Sequence, residues 1–452
     1  MVARLEAVVA RLESALAERD AVIAERDTRM AELEKLVGES RRSGKRQAAP
    51  FSKGNPVTEP ARPGRKTGEA HGRHEHRRVP DRADRELEAP LAGCCPHCGG
   101  DVVHERDAEQ WQLDLGDLAP AVTRFRVGVG RCRSCRRRVQ GRHPAQTSDS
   151  LGAAASQVGP KAKAWAAWLH YRLGLSFAKC SELLQRLGIG VTRAALCSGA
   201  QSTGTALVPV QTEIVARINA SPVTVMDETG WRVNSESAWL WVATTREATA
   251  YNVAGGRGFG EACDLVTEDY TGVIVRDGWA PYRSYTSATH QTCLAHLMGR
   301  THELITDLPA WARGTPRVVN DLLHEALAAR DLDDEDRAEV IADLAERIEL
   351  LGEQPQAHDE CRKLVNHLVN EAPALFSFLA RPEVDATNWR AEQAIRPAVV
   401  NRKVWGGNRT WRGAATQGRI MSVLRTAAQQ GIDPSDYLTR LARAPTPIPL
   451  FT

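Results

Sequence analysis

Val223-Thr224-Val225-Met226-Asp227 is the stretch on which the fold turns. A short run of strand-forming residues ends in an acid, and the pattern returns downstream as Val273-Ile274-Val275-Arg276-Asp277. Branched side chains favour strands because they pack well on a pleated surface. An acid just beyond a strand sits at the sheet edge, held rigidly yet open to solvent. A third acid, Glu392, lies in the helix-like stretch Thr387-Asn388-Trp389-Arg390-Ala391-Glu392-Gln393-Ala394-Ile395-Arg396. Two strand-end acids and one on a later helix suit two Mg²⁺ ions, which take hard oxygen ligands and keep several waters. Such a pair of ions, about 4 Å apart, serves phosphodiester chemistry. Asn388 falls a turn before Glu392, where it could orient that acid or a metal-bound water. Arg396 falls a turn after, within reach of Glu392 or of a phosphate. Spacing alone does not decide the matter, because the chain holds 56 acidic residues and three can be so placed by chance.

Working outward, strands are expected over 223–226, 238–244, 249–253 and 272–276, with a turn over 269–272. A short meander leading to a further strand with an acid at its tip matches the start of an RNase H-like α/β domain. We place that domain at 221–443, with a helical insertion over about 300–385 and closing helices over 414–430 and 434–443. The insertion includes the acidic run Asp331-Leu332-Asp333-Asp334-Glu335-Asp336. Between 156 and 220 the pattern is helical. An amphipathic helix over 161–173 has Trp165, Trp168, Leu169 and Leu173 on one side. A second helix over 176–187, the turn Gly188-Ile189-Gly190, and a helix capped by Thr192 and running through Cys197 complete an HTH-like DNA-binding unit. Many all-helical domains share that pattern.

The N-terminal third reads differently. Over 1–37, Val9, Leu16, Ile23, Met30 and Val37 recur as a heptad, and Leu5, Leu12 and Leu33 fill the second seam position, interrupted by Arg19 and Arg26. That predicts a coiled coil and a homo-oligomer, or else one amphipathic helix docked on its own chain. Residues 38–90 lack hydrophobic period and are basic, which predicts a disordered linker. Residues 91–142 carry two Cys-x-x-Cys pairs bracketing an alternating, strand-like run over 122–127. They predict a zinc ribbon with Cys95, Cys98, Cys132 and Cys135 on a structural Zn²⁺, and Cys94 or His97 as substitutes. Arg131, Arg133, Arg136, Arg137 and Arg138 around the second pair form a candidate phosphate-binding face.

Length and charge set the frame. The 452 residues exceed one core, and at roughly 100–200 residues per domain they imply about three units. The net charge of +3 says little about partners, so the clusters matter more. No run of about 18 apolar residues is present to span a membrane, and the first residues lack a signal-peptide core. Four of the ten cysteines form the two Cys-x-x-Cys pairs and most others are scattered; without an export signal the pairs read as metal ligands rather than disulfides, and the chain is expected in the cytoplasm. Arg402, Lys403, Arg409 and Arg412, interleaved with Trp405 and Trp411, suit phosphates and unstacked bases. The alternative is a solvated loop with its two tryptophans in the core.

The motifs resemble, in order, those of the insertion-sequence-66 family of bacterial transposases, of DDE type. Val225-Met226-Asp227-Glu228-Thr229-Gly230-Trp231 looks like its first acidic motif, and Asp277-Gly278-Trp279-Ala280-Pro281-Tyr282 its second. Cys293-Leu294-Ala295-His296 is similar to its Cys-x-x-His. The segment from Thr387 through Arg396 to Pro397 resembles its glutamate motif. Asn401-Arg402-Lys403-Val404-Trp405-Gly406-Gly407-Asn408-Arg409-Thr410 and Ser422-Val423-Leu424-Arg425-Thr426-Ala427 follow in family order. The chain departs from the family pattern at Trp389, Gln393 and Leu297-Met298. The resemblance implies that Asp227, Asp277 and Glu392 bind two Mg²⁺ ions, or Mn²⁺ in their place. It implies double-stranded DNA, both transposon ends and target, as substrate, contacted by Asn388, Arg396, Arg402, Lys403 and Arg409, with Arg136 and Arg137 on the ribbon. It also implies a bacterial, nucleoid-associated protein with accessory proteins of the same element as partners. His296 is a secondary candidate near the metals or on DNA, and Cys293 reads as a buried strand residue. Two other functions stay open: a catalytically inactive DNA-binding protein derived from a transposase, and a structure-selective nuclease on the same fold.

Overall fold

The structure, a computed structural model, describes Gly100 and residues 119–147, 157–444, 446 and 448–451. The chain divides into two units, Met1–Asp114 and Leu115–Thr452, and the architecture below belongs to the second. The expected coiled coil, the basic linker and the first cysteine pair, Cys95 and Cys98, lie outside the described residues.

Two short strands, β1 (Val129–Arg131) and β2 (Arg138–Gln140), form an antiparallel hairpin whose turn carries Cys132 and Cys135. The alternating run over 122–127 is not a strand, and Val122 is 90% exposed. Alternation marks a strand only where a neighbouring strand takes up its backbone groups, and none among the described residues pairs with this run.

Four helices follow: α1 (Pro160–Tyr171), α2 (Phe177–Arg186), α3 (Arg193–Ala206) and α4 (Val208–Asn219). Ser176 caps α2 by accepting from Lys179 N at 3.3 Å, and Thr192 caps α3 by accepting from Ala195 N at 3.2 Å. Gly188, at φ +78°, makes the turn between them. The expected cap is therefore present, but α3 runs well past Cys197. Trp165 and Leu173, expected on the packed side, are 41% and 51% exposed. Ala166, Leu169, Cys180, Leu184 and Leu196 form a small core of their own. Tyr171, Leu207, Val210, Ile214 and Ile218, by contrast, belong to the core that also holds the sheet residues Val225 and Trp241. The helical segment is thus joined to the sheet rather than a free-standing unit.

The sheet has five strands: β3 (Val223–Val233), β4 (Glu236–Thr244), β5 (Thr249–Ala254), β6 (Val273–Arg276) and β7 (Thr289–Thr292), in the order β5-β4-β3-β6-β7. β3, β4 and β5 form an antiparallel meander, while β6 and β7 run parallel to β3. Asn234, at φ +55°, turns the chain between β3 and β4, a left-handed position that asparagine tolerates. Every residue of β6 is buried, as an interior parallel strand requires. A short helix, α5 (Phe259–Cys263), follows β5.

Helices α6 (Leu294–Asp307), α7 (Gly314–Ala328), α8 (Asp334–Glu353), α9 (Asp359–Glu371) and α10 (Ser377–Ala380) occupy the stretch expected to be a helical insertion. The acidic run over 331–336 starts α8: Asp333 accepts from Asp336 N at 2.9 Å, and Asp334, Glu335 and Asp336 fill its first turn. Carboxylates there satisfy free N–H groups and oppose the helix dipole. The chain closes with α11 (Trp389–Trp405), α12 (Trp411–Gln429) and α13 (Pro434–Leu441).

The outer edge of β5 is covered by α12. Tyr251 N donates to Ser422 Oγ at 2.8 Å and Thr249 N to Thr426 Oγ1 at 3.0 Å, while Thr426 Oγ1 donates back to Thr249 O at 3.0 Å. Gly418, one turn before Ser422, lets the helix approach, because a Cβ there would stand 2.8 Å from Tyr251 O. At the opposite edge, Ser377 Oγ donates to His290 O of β7 at 2.7 Å. Among the described residues no helix is long and apolar enough to cross a membrane.

Candidate active site

The first correction concerns Asp227. The sequence places it beyond the tip of a strand, but it lies within β3, opposite Val242 of β4. β3 is an eleven-residue strand that continues through the acid to Val233. Its parallel pairing with β6 stops at Val225↔Val275, and each strand carries its acid two residues further on. Asp227 and Asp277 therefore leave the end of the parallel ladder side by side. Asp277 keeps its expected place just beyond β6. Its Oδ1 accepts from Trp279 N at 2.9 Å, which fixes the carboxylate.

Glu392 sits in the first turn of α11, with its backbone N–H bonded to Asn388 O at 3.1 Å. Burial pushes the Asp227 carboxyl up to about 7, helped by the charges of Glu228, Asp277 and Glu392 and opposed by the Glu228 N–H, which donates to Asp227 Oδ1 at 2.9 Å. The three acids thus share one electrostatic neighbourhood. They do not close into a cage: among the described residues no three His, Cys, Asp or Glu side chains are grouped tightly enough to hold a metal ion.

His296, on the first turn of α6, has Nε2 3.6 Å from Glu392 Oε1. Its hydrogen bond with Cys293, with the charges of Cys293, Glu392 and Asp277, pushes its imidazole up to about 9. Cys293 is buried, as expected, but caps α6 rather than lying in a strand.

Two supporting groups escaped the sequence reading. Glu228, next to Asp227 and with a side chain that is 0% exposed, is held by Arg257 and by the Tyr282 hydroxyl. Glu371 of α9, also 0% exposed, pairs with Arg276 and, at 2.7 Å, with Arg283. Burial opposes its ionisation, but the Thr292 hydroxyl and the Arg276 charge outweigh that and hold its carboxyl below the ordinary glutamate value. The same helix meets Gly278, where a Cβ would stand 2.4 Å from the His367 ring. The insertion helix therefore grips the residues on both sides of Asp277. An alternation of buried residues carried through Asp227 is the signal that would have revealed Glu228; nothing local announces Glu371.

The candidate DNA contacts fall into two groups. Arg396, Lys403, Arg409 and Arg412 are exposed, as are Arg136 and Arg137 on the β1–β2 turn, where Arg136 takes φ +57°. Arg402 is half-buried, its guanidinium 5.9 Å above the Trp231 ring. Asn388 is a correction: it is fully buried, and neither amide atom has a partner. It is not a surface contact, and its side chain makes no hydrogen bond to Glu392; only its backbone carbonyl does. The segment after α11 is largely architectural rather than a solvated loop. Asn408 Oδ1 accepts from Trp231 Nε1 at 2.7 Å, and its backbone bonds to Arg232 O and Asn234 N. Gly407, at φ +96°, lies so close that a Cβ would stand 2.6 Å from Arg232 O.

At the hairpin tip, Cys132 N donates to Arg137 O at 2.9 Å and Arg136 N to Cys132 O at 3.0 Å. Backbone and thiol hydrogen bonds from Cys135 lower the Cys132 thiol below its ordinary value. The two thiols thus lie within hydrogen-bonding reach of each other.

A mixed sheet wrapped by helices, with acids from adjacent strands and a third on a helix across them, is consistent with a transposase domain. The model of the Transposase IS66 family matches residues 155–416, and the chain belongs to that family. The chain is also similar to the uncharacterized protein y4qI of Sinorhizobium fredii (strain NBRC 101917 / NGR234). The two are 23% identical over 313 residues, which cover 60% of this chain and 56% of that protein. The chain thus matches a little over half the length of this curated relative.

Proposed function

We propose that the protein is a DNA transposase that cleaves transposon ends and joins them to target DNA, using Asp227, Asp277 and Glu392 on an RNase H-like fold. The observation that carries this reading is the exit of Asp227 and Asp277 side by side from the parallel ladder, with Glu392 close enough to raise the Asp227 pKa. The strand order, an antiparallel meander followed by two strands parallel to its first, supports the fold.

The donors fit divalent cations. They are hard carboxylate oxygens, and a buried acid crowded by like charges is the group a cation would relieve. Asp227, Asp277 and Glu392 would together hold two Mg²⁺ ions, or Mn²⁺ in their place. When bound, such ions polarise the scissile phosphate and ease deprotonation of the attacking water or 3′-hydroxyl. The chain's own residues do the rest. Trp279 N–H orients Asp277. His296, with Nε2 3.6 Å from Glu392 Oε1, is placed to donate to a phosphate oxygen beside Glu392. Arg396, Arg402, Lys403 and Arg409 neutralise the backbone of the bound end, and Arg136 and Arg137 do so on the hairpin. Cys132 and Cys135, with Cys95 and Cys98, would hold the structural Zn²⁺. A coiled coil at the N-terminus would bring two copies, and so two ends, together, and accessory proteins of the same element remain candidate partners.

A second reading, a non-catalytic DNA-binding protein, is favoured by the absence of a closed ligand cage among the described residues. Strand transfer with a labelled end-bearing duplex separates the two. Wild type is expected to nick and join in Mg²⁺, and Asp227→Ala, Asp277→Ala and Glu392→Ala each to lose at least 10²-fold. Undiminished activity in any one removes that acid from the site, and an inert wild type favours the second reading.

A further inference from the structure

Beside the acid site runs a chain of contacts that begins next to one carboxylate and ends on another. Glu228, adjacent to Asp227 in β3, is wholly buried. Arg257 donates to its Oε1 through Nε at 2.7 Å, with Nη2 in ion-pair contact at 2.6 Å, and Tyr282 donates to its Oε2. Both carboxylate oxygens are therefore committed, which takes Glu228 out of contention as a metal ligand. The Arg257 guanidinium lies between two indoles, 3.9 Å from the Trp279 ring centroid and 4.6 Å from that of Trp239. Trp279 returns the contact by donating Nε1 to Arg257 O at 3.2 Å, and its backbone N–H holds Asp277 Oδ1.

The loop that presents Arg257 is itself tied down. Trp241 Nε1 donates to Gly256 O at 3.2 Å, and Gly258 N donates to Glu261 Oε2 at 2.9 Å. A Cβ at Gly256 would stand 2.1 Å from Glu261 Oε1, so a side chain there would have to displace that carboxylate.

We propose that Arg257 is a positioning residue for the paired acids: through Glu228 and Trp279 it sets the separation and orientation of Asp227 and Asp277. This rests on the proposed metal-dependent site. Three properties of arginine are used at once: a fixed charge that compensates Glu228, a planar fork that binds it, and a flat face that two indoles can sandwich. Lysine retains only the first. Without Arg257, Glu228 is a buried, uncompensated charge beside Asp227, and Trp279 loses the surface it packs against. Asp277 then loses its fixed donor, and ions that need both acids at a set distance bind less well.

The test is Mn²⁺ titration of the DNA-free full-length protein, read by loss of the free-ion EPR signal, alongside thermal melting and cleavage of an end-bearing duplex. Arg257→Ala is expected to weaken Mn²⁺ binding about tenfold and to lower kcat about 10²-fold, the usual scale of a misplaced reacting group. DNA affinity should stay within about twofold of wild type, because the Arg257 guanidinium is taken up by Glu228, Trp239 and Trp279. Arg257→Lys, the variant that keeps the charge, should fall between, and should decide the matter where Arg257→Ala does not fold. Trp279→Phe combined with Arg257→Lys should be no worse than Arg257→Lys alone, since both act through one path. Folded Arg257 variants with wild-type Mn²⁺ affinity and kcat, beside an Asp227→Ala protein that has lost both, would overturn the proposal alone. A wild type that takes up no Mn²⁺ overturns the reading of the site together with it.

Discussion

Asp227 concentrates the electrostatics of the molecule. Its carboxyl, ordinarily near 3.8, is pushed up to about 7 by burial and then by neighbouring acids. A carboxyl raised in the folded state binds its proton more tightly there than in the unfolded chain. Stability from this group is therefore greatest at low pH and declines as pH rises from about 4 through about 7. Each pKa unit corresponds to about 1.4 kcal/mol, so the strain at pH 8 is on the order of a few kcal/mol. Asp227→Asn is expected to raise the melting temperature of the metal-free protein at pH 8 and to leave it nearly unchanged at pH 4. A melting temperature that does not rise at pH 8 would show that the charge is not strained. At this scale the sequence was informative where chemistry is local. Thr192 was legible as a cap from residue type and position, whereas the acidic run that holds Asp333 read only as a patch and proved to cap and start α8. Asn388 misled, because polarity one turn from an acid suggests contact and says nothing of burial.

Among the elements, α9 does more than fill an insertion. Its Glu371 pairs with Arg276 and its His367 ring lies against Gly278, the residues flanking Asp277. Arg276 is only 2% exposed, so deleting its partner leaves a charge without solvent. Glu371→Gln is expected to cost about 3–5 kcal/mol in chemical denaturation; a loss below 1 kcal/mol would mean that Arg283 and Thr292 do not depend on the pair. The pairing was invisible in sequence because its members lie far apart in the chain and Glu371 belongs to no motif. β7 escaped for a related reason. Thr289-His290-Gln291-Thr292 lacks an apolar pattern and becomes a strand because β6 offers it a parallel partner. β3 was seen only in its first half, since the run of branched residues ends at Met226 while the hairpin pairing carries on to Val233.

Across the whole molecule, the helical segment is tied to the acid-bearing helix through an aromatic stack. The His170 ring lies 3.9 Å from Phe177 and 4.8 Å from Trp405 of α11, and its Nδ1–H donates to Leu175 O at 2.7 Å. Nearby, Asn401 Nδ2 donates to Tyr171 O at 3.1 Å. Burial lowers the His170 pKa to about 4. A histidine lowered on folding contributes stability that is complete above about 6.5 and is lost as pH falls from there toward about 4. The difference in melting temperature between pH 7 and pH 4.5 should therefore be smaller in His170→Gln than in wild type. Equal differences would remove His170 from the link. Sequence patterning separated residues 156–220 from the rest because helical periodicity describes each helix alone. It carries no record of the other faces, and those faces are where Tyr171, Ile214 and Ile218 enter the common core.

The hydroxyls of Ser422 and Thr426 on one flank, and of Ser377 on the other, give the sheet a finished border. Their bonds occupy Thr249, Tyr251 and His290, backbone positions that a foreign strand would need for a template. Growth by annexing a neighbour's strand is closed off along those stretches. Copies that met on one DNA would not be joined along those stretches, and they could part again without unzipping a strand shared there.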